Sequence, residues 1–232
     1  MKILAVDSTA ITASVALTED DKLVAEMTLN NGNTHSQTLL PMVEALFRTC
    51  DVTADDIDLF AVSEGPGSFT GVRIGAATVK GLAFGRGKCC IGVSTLEALA
   101  YNLCGFVGII CPVMNARRSQ VYTAIFRSDG EKLERLSDDM AIAVSELDER
   151  LAELCEPVYL VGDGIEVSLE GFVKTKPCAT PERQRYQSGY SVAMVALSRY
   201  AAGERGDDAS LNPTYLRLSQ AERERLEREN NK

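Results

Sequence analysis

Residues 63–75, SEGPGSFTGVRIG, constrain the fold most strongly, because they join a predicted strand to a predicted helix through a glycine-rich loop. The apolar run at residues 59–62 leads into it and predicts a buried strand. Gly65, Pro66 and Gly67 interrupt regular structure and predict a tight loop. Ser68 then stands where a helix N-cap is expected, because its hydroxyl can accept a hydrogen bond from a free backbone N–H of the first turn.

The predicted helix carries glycines one turn apart, Gly71 with Gly75, and the spacing recurs at Gly81 and Gly85. Each glycine inside a helix costs about 1 kcal/mol relative to alanine, so the glycines need a packing reason. Three interpretations remain open: close packing within the chain, a flat face made for a partner chain, or a phosphate cradle at the helix start. The signal for a cradle is weak, because a P-loop would place Gly-Lys-Ser/Thr where this chain has SFTG.

Alternating apolar patterns before and after this unit predict strands and helices in regular succession. The chain starts with three strands at hairpin spacing, which predict an antiparallel meander. The next helix has an apolar stripe at Leu39, Val43, Leu46 and Phe47. In this half we predict strands at 2–7, 11–18, 22–29, 59–63 and 88–93, and helices at 36–50 and 95–103 beside the glycine helix.

The second half of the chain begins near residue 105 and is also predicted to alternate strands with helices. We predict strands at 107–113, 121–126 and 158–161, helices at 144–154 and 190–202, and a charged helix or tail at 219–232. The whole order resembles two ribonuclease-H-like lobes of the actin-like ATPase type, the fold of actin, Hsp70 and sugar kinases. The predicted fold is therefore α/β, with an N-terminal lobe at 1–104 and a smaller C-terminal lobe at 105–232.

Composition excludes several classes of protein. No apolar run approaches the roughly 18 residues of a membrane helix, and we expect neither a membrane span nor a signal peptide. The seven cysteines form no Cys-x-x-Cys pair, so a disulfide framework or a zinc site is not expected and a reducing cytoplasm fits best. The net charge of −9 argues against binding nucleic acid through the overall field of the chain.

Residues 63–75 resemble the signature of the bacterial TsaB family, also called YeaZ, of tRNA threonylcarbamoyladenosine biosynthesis proteins. Other blocks agree with the family in order along the chain: MKILAVDST at 1–9, HSQTLLPM at 35–42, GVSTLEAL at 92–99, MNAR at 114–117 and PTYLR at 213–217. The resemblance spans nearly the whole chain and is least specific between about 128 and 209.

The resemblance implies a function in making N6-threonylcarbamoyladenosine at position 37 of tRNAs that read ANN codons. The family member is a non-catalytic accessory subunit that scaffolds and activates the TsaD threonylcarbamoyltransferase, with TsaE as the ATPase subunit. It also implies a homodimer when the protein is alone, contact with tRNA only through the complex, and a cytoplasmic location. The isolated chain is expected to bind no cofactor. ATP or ADP is expected to bind only in the complex.

The resemblance further implies a partner interface built from the two helices of the first lobe. The same helices form the contact within the homodimer and the contact with TsaD. The residues assigned to it are His35, Leu39, Val43, Ser68, Phe69, Gly71, Val72, Gly75 and Val79. If the glycines leave a flat outward face, Gly75→Leu is expected to block association while the lone chain keeps its fold.

The carboxyl ends of the predicted strands carry the weak candidates for nucleotide contact, namely Asp7, Ser8, Thr9, Gly162 and Gly164. Actin-like ATPases have a glycine in the turn after the first strand, whereas Ala10 follows here. The matching turn in the second lobe, residues 114–120, contains no glycine, although a phosphate needs converging N–H groups without a Cβ in the way. We therefore favour a structural role for Asp7 as a turn cap.

The remaining polar candidates are weak. Arg117 and Arg118 beside Tyr122 allow an anion or an acidic partner, although ordinary solvated arginines fit as well. His35 is the only histidine, so the His-x-x-x-His iron pair of TsaD is absent and we predict no metal site. Two alternative functions are therefore disfavoured, because the sequence lacks the residues that they need. A small-molecule kinase needs a second glycine loop, and a glycoprotease-like peptidase needs metal ligands or a Ser/His/Asp triad.

Overall fold

A computed structural model describes residues 1–217, and its first sheet has the strand order β3-β2-β1-β4-β5. Strands β1, β2 and β3 form the predicted antiparallel meander, while β4 and β5 run parallel to β1. The carboxyl ends of β1 and β4 therefore lie side by side. The bounds are β1 Lys2–Asp7, β2 Ala13–Glu19, β3 Lys22–Leu29, β4 Leu59–Gly65 and β5 Cys89–Ser94.

Two helices cover one face of this sheet, α1 (His35–Cys50) and α2 (Phe69–Ala83). Their apolar stripes pack on alternate residues of β1, β2 and β4 to form the main core of the first lobe. Ser68 caps α2 as predicted, since its Oγ accepts a hydrogen bond from the N–H of Gly71 at 3.3 Å. The glycine loop thus joins the buried strand β4 directly to a capped helix.

The second sheet follows the order β10-β7-β6-β11-β12, with β8 and β9 added beside β6. Its faces are covered by α4 (Val144–Ala152) and α5 (Ile165–Gly171) on one side and by α3 (Thr95–Tyr101) on the other. The two sheets confirm the predicted α/β fold with two ribonuclease-H-like lobes. The bounds are β6 Val107–Asn115, β7 Gln120–Thr123, β8 Phe126–Asp129, β9 Leu133–Arg135, β10 Met140–Ala143, β11 Val158–Val161 and β12 Cys178–Ala179.

One predicted strand, 121–126, is two strands in the structure. β7 pairs with the carboxyl half of β6, and β8 pairs with its amino half. The break falls at Ala124 and Ile125, because the N–H of Ile125 donates to the Ser137 hydroxyl at 2.9 Å instead of joining the ladder. Apolar residues continue through this break at 124–126, so the sequence alone does not mark it.

The last long helix, α7 (Gly189–Ala201), lies against the first sheet although it follows the second sheet in the chain. Val192, Ala193 and Ala196 are fully buried against residues of β1, β4 and β5. The assignment of everything after residue 105 to the second lobe is therefore wrong for this helix. The reason is that the other face of the first sheet would otherwise stay uncovered.

Helix α3 connects the two lobes. Leu96, Leu99 and Leu103 are buried together with Phe126 and Val161 of the second lobe. A polar network runs beside this shared core, in which the Glu97 carboxylate accepts from Arg199 of α7 at 2.6 Å. The lobes are therefore packed on a common apolar core rather than joined by a linker.

The remaining described elements are short: a 3-10 turn at Ala54–Asp56 and the helix α6 at Glu182–Arg185. They and α5, β9, β10 and β12 were not predicted, because they are brief and fall mostly in the least patterned part of the sequence. The predicted charged helix or tail at 219–232 lies outside the described residues.

Candidate functional site

A cleft of about 520 Å³ opens between the lobes at the carboxyl ends of β1, β4, β6 and β11. Ligands of open α/β folds commonly bind at this edge of the sheet. The first lobe contributes the turn after β1 and the start of α2. The second lobe contributes the turn after β6 and Asp163 after β11, and the segment 214–217 forms a further wall.

The turn after β1 is closed by its own hydrogen bonds. Asp7 is 1% exposed, and its carboxylate accepts from the N–H of Thr9 at 2.8 Å, from the Thr9 hydroxyl at 2.7 Å, and from the Ser63 hydroxyl. Burial raises the pKa of the Asp7 carboxyl above its ordinary value, and these hydrogen bonds oppose the shift. Asp7 therefore has the structural role that we favoured, and it joins the ends of two neighbouring strands.

The glycines at the start of α2 face this turn. A Cβ placed on Gly71 would overlap the carbonyl oxygen of Ser8, and one on Gly75 would lie 2.7 Å from the Ser8 hydroxyl. The Ser8 hydroxyl also donates to the Gly71 carbonyl at 2.9 Å. The prediction that these glycines leave a flat outward face is wrong, because the surface they open is filled by the chain's own β1 turn.

The same geometry reverses the expectation for Gly75→Leu. Both Gly71 and Gly75 are buried, and Gly67 likewise approaches the carbonyl of Thr9. A leucine at Gly75 would need space that Ser8 and Val62 occupy. We therefore expect the substitution to disrupt the fold of the first lobe rather than association alone.

The residues assigned to the partner interface divide into two groups. Leu39, Val43, Val72 and Val79 are at most 1% exposed. They lie inside the first lobe and are not available for direct contact with a partner. Ser68 is exposed, Phe69 is partly exposed, and half-buried His35 donates through Nε2 to the Ala10 carbonyl at 2.7 Å. The exposed side of the two helices carries Leu40, Thr70 and Arg73 instead.

The Gly162-Asp163-Gly164 turn is a packing turn. Gly162 has φ +117°, and a Cβ there would overlap the carbonyl oxygen of Val113. The Gly164 N–H donates to the same oxygen at 3.0 Å. Neither glycine lines the cleft, so the plain-turn interpretation fits them. Asp163, which we did not select, does line it, and burial raises the pKa of its carboxyl.

The turn after β6 is a tight hairpin. Arg117, Arg118 and Ser119 all have positive φ, between 55° and 64°. The N–H of Arg117 donates to the Asn115 side chain at 2.8 Å, and the N–H of Ala116 to the Gln120 carbonyl at 3.0 Å. Arg117 and Tyr122 reach the cleft. The loop is thus a compact hairpin with one arginine at the opening.

Sequence reasoning missed Ser63, Tyr215 and Arg217. Ser63 directly follows Val62, the β4 partner of Val6, and so lies beside Asp7 at the end of β1. The parallel pairing of these strands was a usable signal, since neighbouring parallel strands end at one edge. Tyr215 stacks on Phe69, and Arg217 donates to the Ala116 carbonyl at 2.9 Å. No periodic signal marks these two residues, because they stand in an extended segment.

The described residues include neither a metal-ligating cluster nor a membrane-spanning helix, and no disulfide joins their cysteines. Within residues 1–217, His, Cys, Asp and Glu side chains nowhere gather in a group of three or more suited to a metal ion. Over the same residues, no helix is both long enough and apolar enough to cross a bilayer. All seven cysteines are free thiols.

Known proteins match this chain along most of its length. A family model described as TsaD, tRNA N6-adenosine threonylcarbamoyltransferase, matches residues 22–220. The tRNA threonylcarbamoyladenosine biosynthesis protein TsaB of Bacillus subtilis (strain 168) is 34% identical over 98% of this chain and 99% of its own length. TsaB of Escherichia coli (strain K12) is 35% identical over 71% of this chain and 72% of its own length.

A solved structure agrees with the sequence relatives. YeaZ from Pseudomonas aeruginosa superposes with a TM-score of 0.79 at 26% identity, covering 93% of this chain and 99% of that one. The sequence relatives and this solved structure point the same way: the chain belongs to the TsaB (YeaZ) family of tRNA threonylcarbamoyladenosine biosynthesis proteins.

Proposed function

We propose that the chain is a non-catalytic accessory subunit that binds and activates TsaD in forming N6-threonylcarbamoyladenosine at position 37 of tRNAs reading ANN codons. TsaD transfers the threonylcarbamoyl group, and TsaE contributes the ATPase activity. The chain acts in the cytoplasm, forms a homodimer when alone, and meets tRNA only through the complex. Its net charge of −9 supports the last point, since free tRNA is strongly anionic.

One observation carries the non-catalytic role. The N–H of Thr9 donates to Asp7, the N–H of Ser68 to the Thr9 carbonyl at 2.6 Å, and the N–H of Gly164 to the Val113 carbonyl. A phosphate needs such N–H groups free and converging on one point. Here they hold the turns together, which supports the absence of tight nucleotide binding by the isolated chain. ATP or ADP then binds only in the complex.

The partner surface is the exposed side of α1 and α2. Leu40 is 47% exposed, and Phe69 with Arg73 lies at the start of α2. Buried Leu39, Val43, Val72 and Val79 support these helices from inside, and the glycines seat α2 on the β1 turn. Leu40→Asp places a charge on this surface without touching the core, and Ser145→Asp, at an exposed position of α4 on the other lobe, is its matched control.

Reconstitution tests the proposal. Threonylcarbamoyladenosine formation is measured on tRNA with TsaD, TsaE and the threonylcarbamoyl-adenylate supply, with and without this chain. We expect product only when all subunits are present, neither ATP turnover nor tRNA modification by this chain alone, and loss of TsaD binding for Leu40→Asp but not for Ser145→Asp. Steady ATP hydrolysis or tRNA modification by the isolated chain would instead favour an enzyme of the same fold.

A further inference from the structure

The segment 213–217 crosses the opening of the cleft and contacts both lobes. We propose that this segment, here called the strap, fixes the separation of the lobes at the cleft and links the surface of α2 to the hairpin after β6. Four of its five residues line the cleft. The inference concerns contacts within this chain and does not depend on the proposed function.

The first anchor of the strap is backbone to backbone. The N–H of Thr214 donates to the Glu64 carbonyl at 2.7 Å. Gly65 has φ +118°, and a Cβ there would overlap the carbonyl of Thr214, so only glycine lets the strap pass this close. Leu211, just before the strap, is 3% exposed within the first core. The strap therefore starts from a fixed point on the first lobe.

The second anchor is aromatic. The rings of Tyr215 and Phe69 stack with centroids 4.8 Å apart. The Arg73 guanidinium lies 3.8 Å from the centroid of Phe69, and its Nε donates to the Tyr215 hydroxyl at 2.8 Å. Such pairs add stability beyond the area that they bury. Tyr215 and Arg73 are exposed, so this anchor lies at the outer surface of α2.

The third anchor is on the second lobe. Arg217 donates through Nη1 to the carbonyl of Ala116, in the hairpin that carries three consecutive residues at positive φ. Non-glycine residues in that region are strained and persist only when their surroundings hold them. Arg217 is one of the groups that hold this hairpin. A disturbance at Tyr215, two residues away, would therefore reach the second lobe.

A simpler hypothesis is that the strap only covers the first turn of α2. The two hypotheses predict different hydrogen exchange in the hairpin after β6. If the strap ties the lobes, releasing Tyr215 loosens the hairpin amides of Ala116, Arg117 and Gln120, which are now hydrogen-bonded. If it only covers α2, those amides stay as they are.

Hydrogen exchange of the full-length chain distinguishes the hypotheses. In Tyr215→Ala we expect amide exchange to become about tenfold faster in both the strap and residues 115–120, with the sheet strands unchanged. In Arg217→Ala we expect the same increase at 115–120 while residues 65–69 keep their rate. Arg205→Ala is the matched control, since Arg205 makes a similar cation–π contact with Tyr200 away from the cleft.

Unchanged exchange at 115–120 in both variants, or an increase confined to the strap and α2, would overturn the proposal. If Tyr215→Ala speeds exchange throughout the chain, it has unfolded the protein. Arg217→Ala then decides alone, because among the described residues the Arg217 guanidinium hydrogen-bonds to the second lobe at Ala116. An equal change at 115–120 in Arg205→Ala would also count against the strap.

Discussion

Two pairs of glycines with the same spacing behave differently in this chain. Gly71 and Gly75 bring α2 against the Ser8 turn so closely that no side chain fits. Gly81 and Gly85 face space that no described residue fills within 4 Å of an added Cβ. The spacing therefore does not reveal which glycine is required. What decides is the backbone that lies opposite, and for the first pair it comes from more than 60 residues earlier in the chain.

The largest effect is expected for Gly71→Ala. The added methyl would overlap the Ser8 carbonyl oxygen, a backbone atom that cannot rotate away. We expect a loss of about 3 kcal/mol or more in the free energy of unfolding, at or above the usual cost of overpacking. Urea denaturation followed by circular dichroism measures it. A stability within 0.5 kcal/mol of the parent protein, roughly the scatter of surface substitutions, would contradict the packing account.

The matched control is Gly81→Ala in the same helix. Its added methyl would meet no described atom within 4 Å, and alanine restricts the unfolded chain more than glycine does. We expect a gain of about 0.5–1 kcal/mol in the same denaturation experiment. Destabilisation by this variant would mean that the two glycine pairs are not different in the way described.

A smaller effect concerns the turn that the first pair contacts. Because burial raises the pKa of Asp7 in the folded protein, folding is favoured when this carboxyl is protonated. Its contribution is full below the unfolded value of about 3.9 and is lost as pH rises through the folded pKa. We therefore expect stability to fall with rising pH across that window, and this component of the slope to vanish in Asp7→Asn.

Urea midpoints of the parent and Asp7→Asn between acidic and neutral pH supply the measurement. Asp163→Asn is a useful comparison, because that carboxyl is also raised in pKa by burial but lies on the other lobe. Parallel stability profiles for the parent and Asp7→Asn would show that Asp7 titrates alike in the folded and unfolded protein.

Most of the fold could be predicted because it follows from apolar periodicity. Strand β11 was placed to the residue, and β1 and β3 matched their predicted bounds. Helix α7 was found but placed on the wrong lobe, since periodicity says that a face is buried and not which sheet buries it. The break at Ile125 was missed because it depends on one hydroxyl, that of Ser137.

The site was harder to predict for a physical reason. The role of Asp7 as a turn cap could be derived, since an aspartate after a buried strand commonly accepts nearby N–H groups. The orientation of Gly71 could not, because it depends on where Ser8 lies in space. The strap residues Tyr215 and Arg217 escaped for the same reason: each acts through a partner that is more than 100 residues away in the chain.

The central claim is that the turns of the cleft bind their own backbone and do not cradle a phosphate. Calorimetric titration of the isolated full-length chain with Mg·ATP tests it most directly. We expect no saturable heat up to about 1 mM nucleotide. This corresponds to a binding free energy less favourable than roughly −4 kcal/mol. The claim would be contradicted if the parent protein bound Mg·ATP saturably in the micromolar range and Asp163→Asn did not. That result would show that the cleft accepts nucleotide.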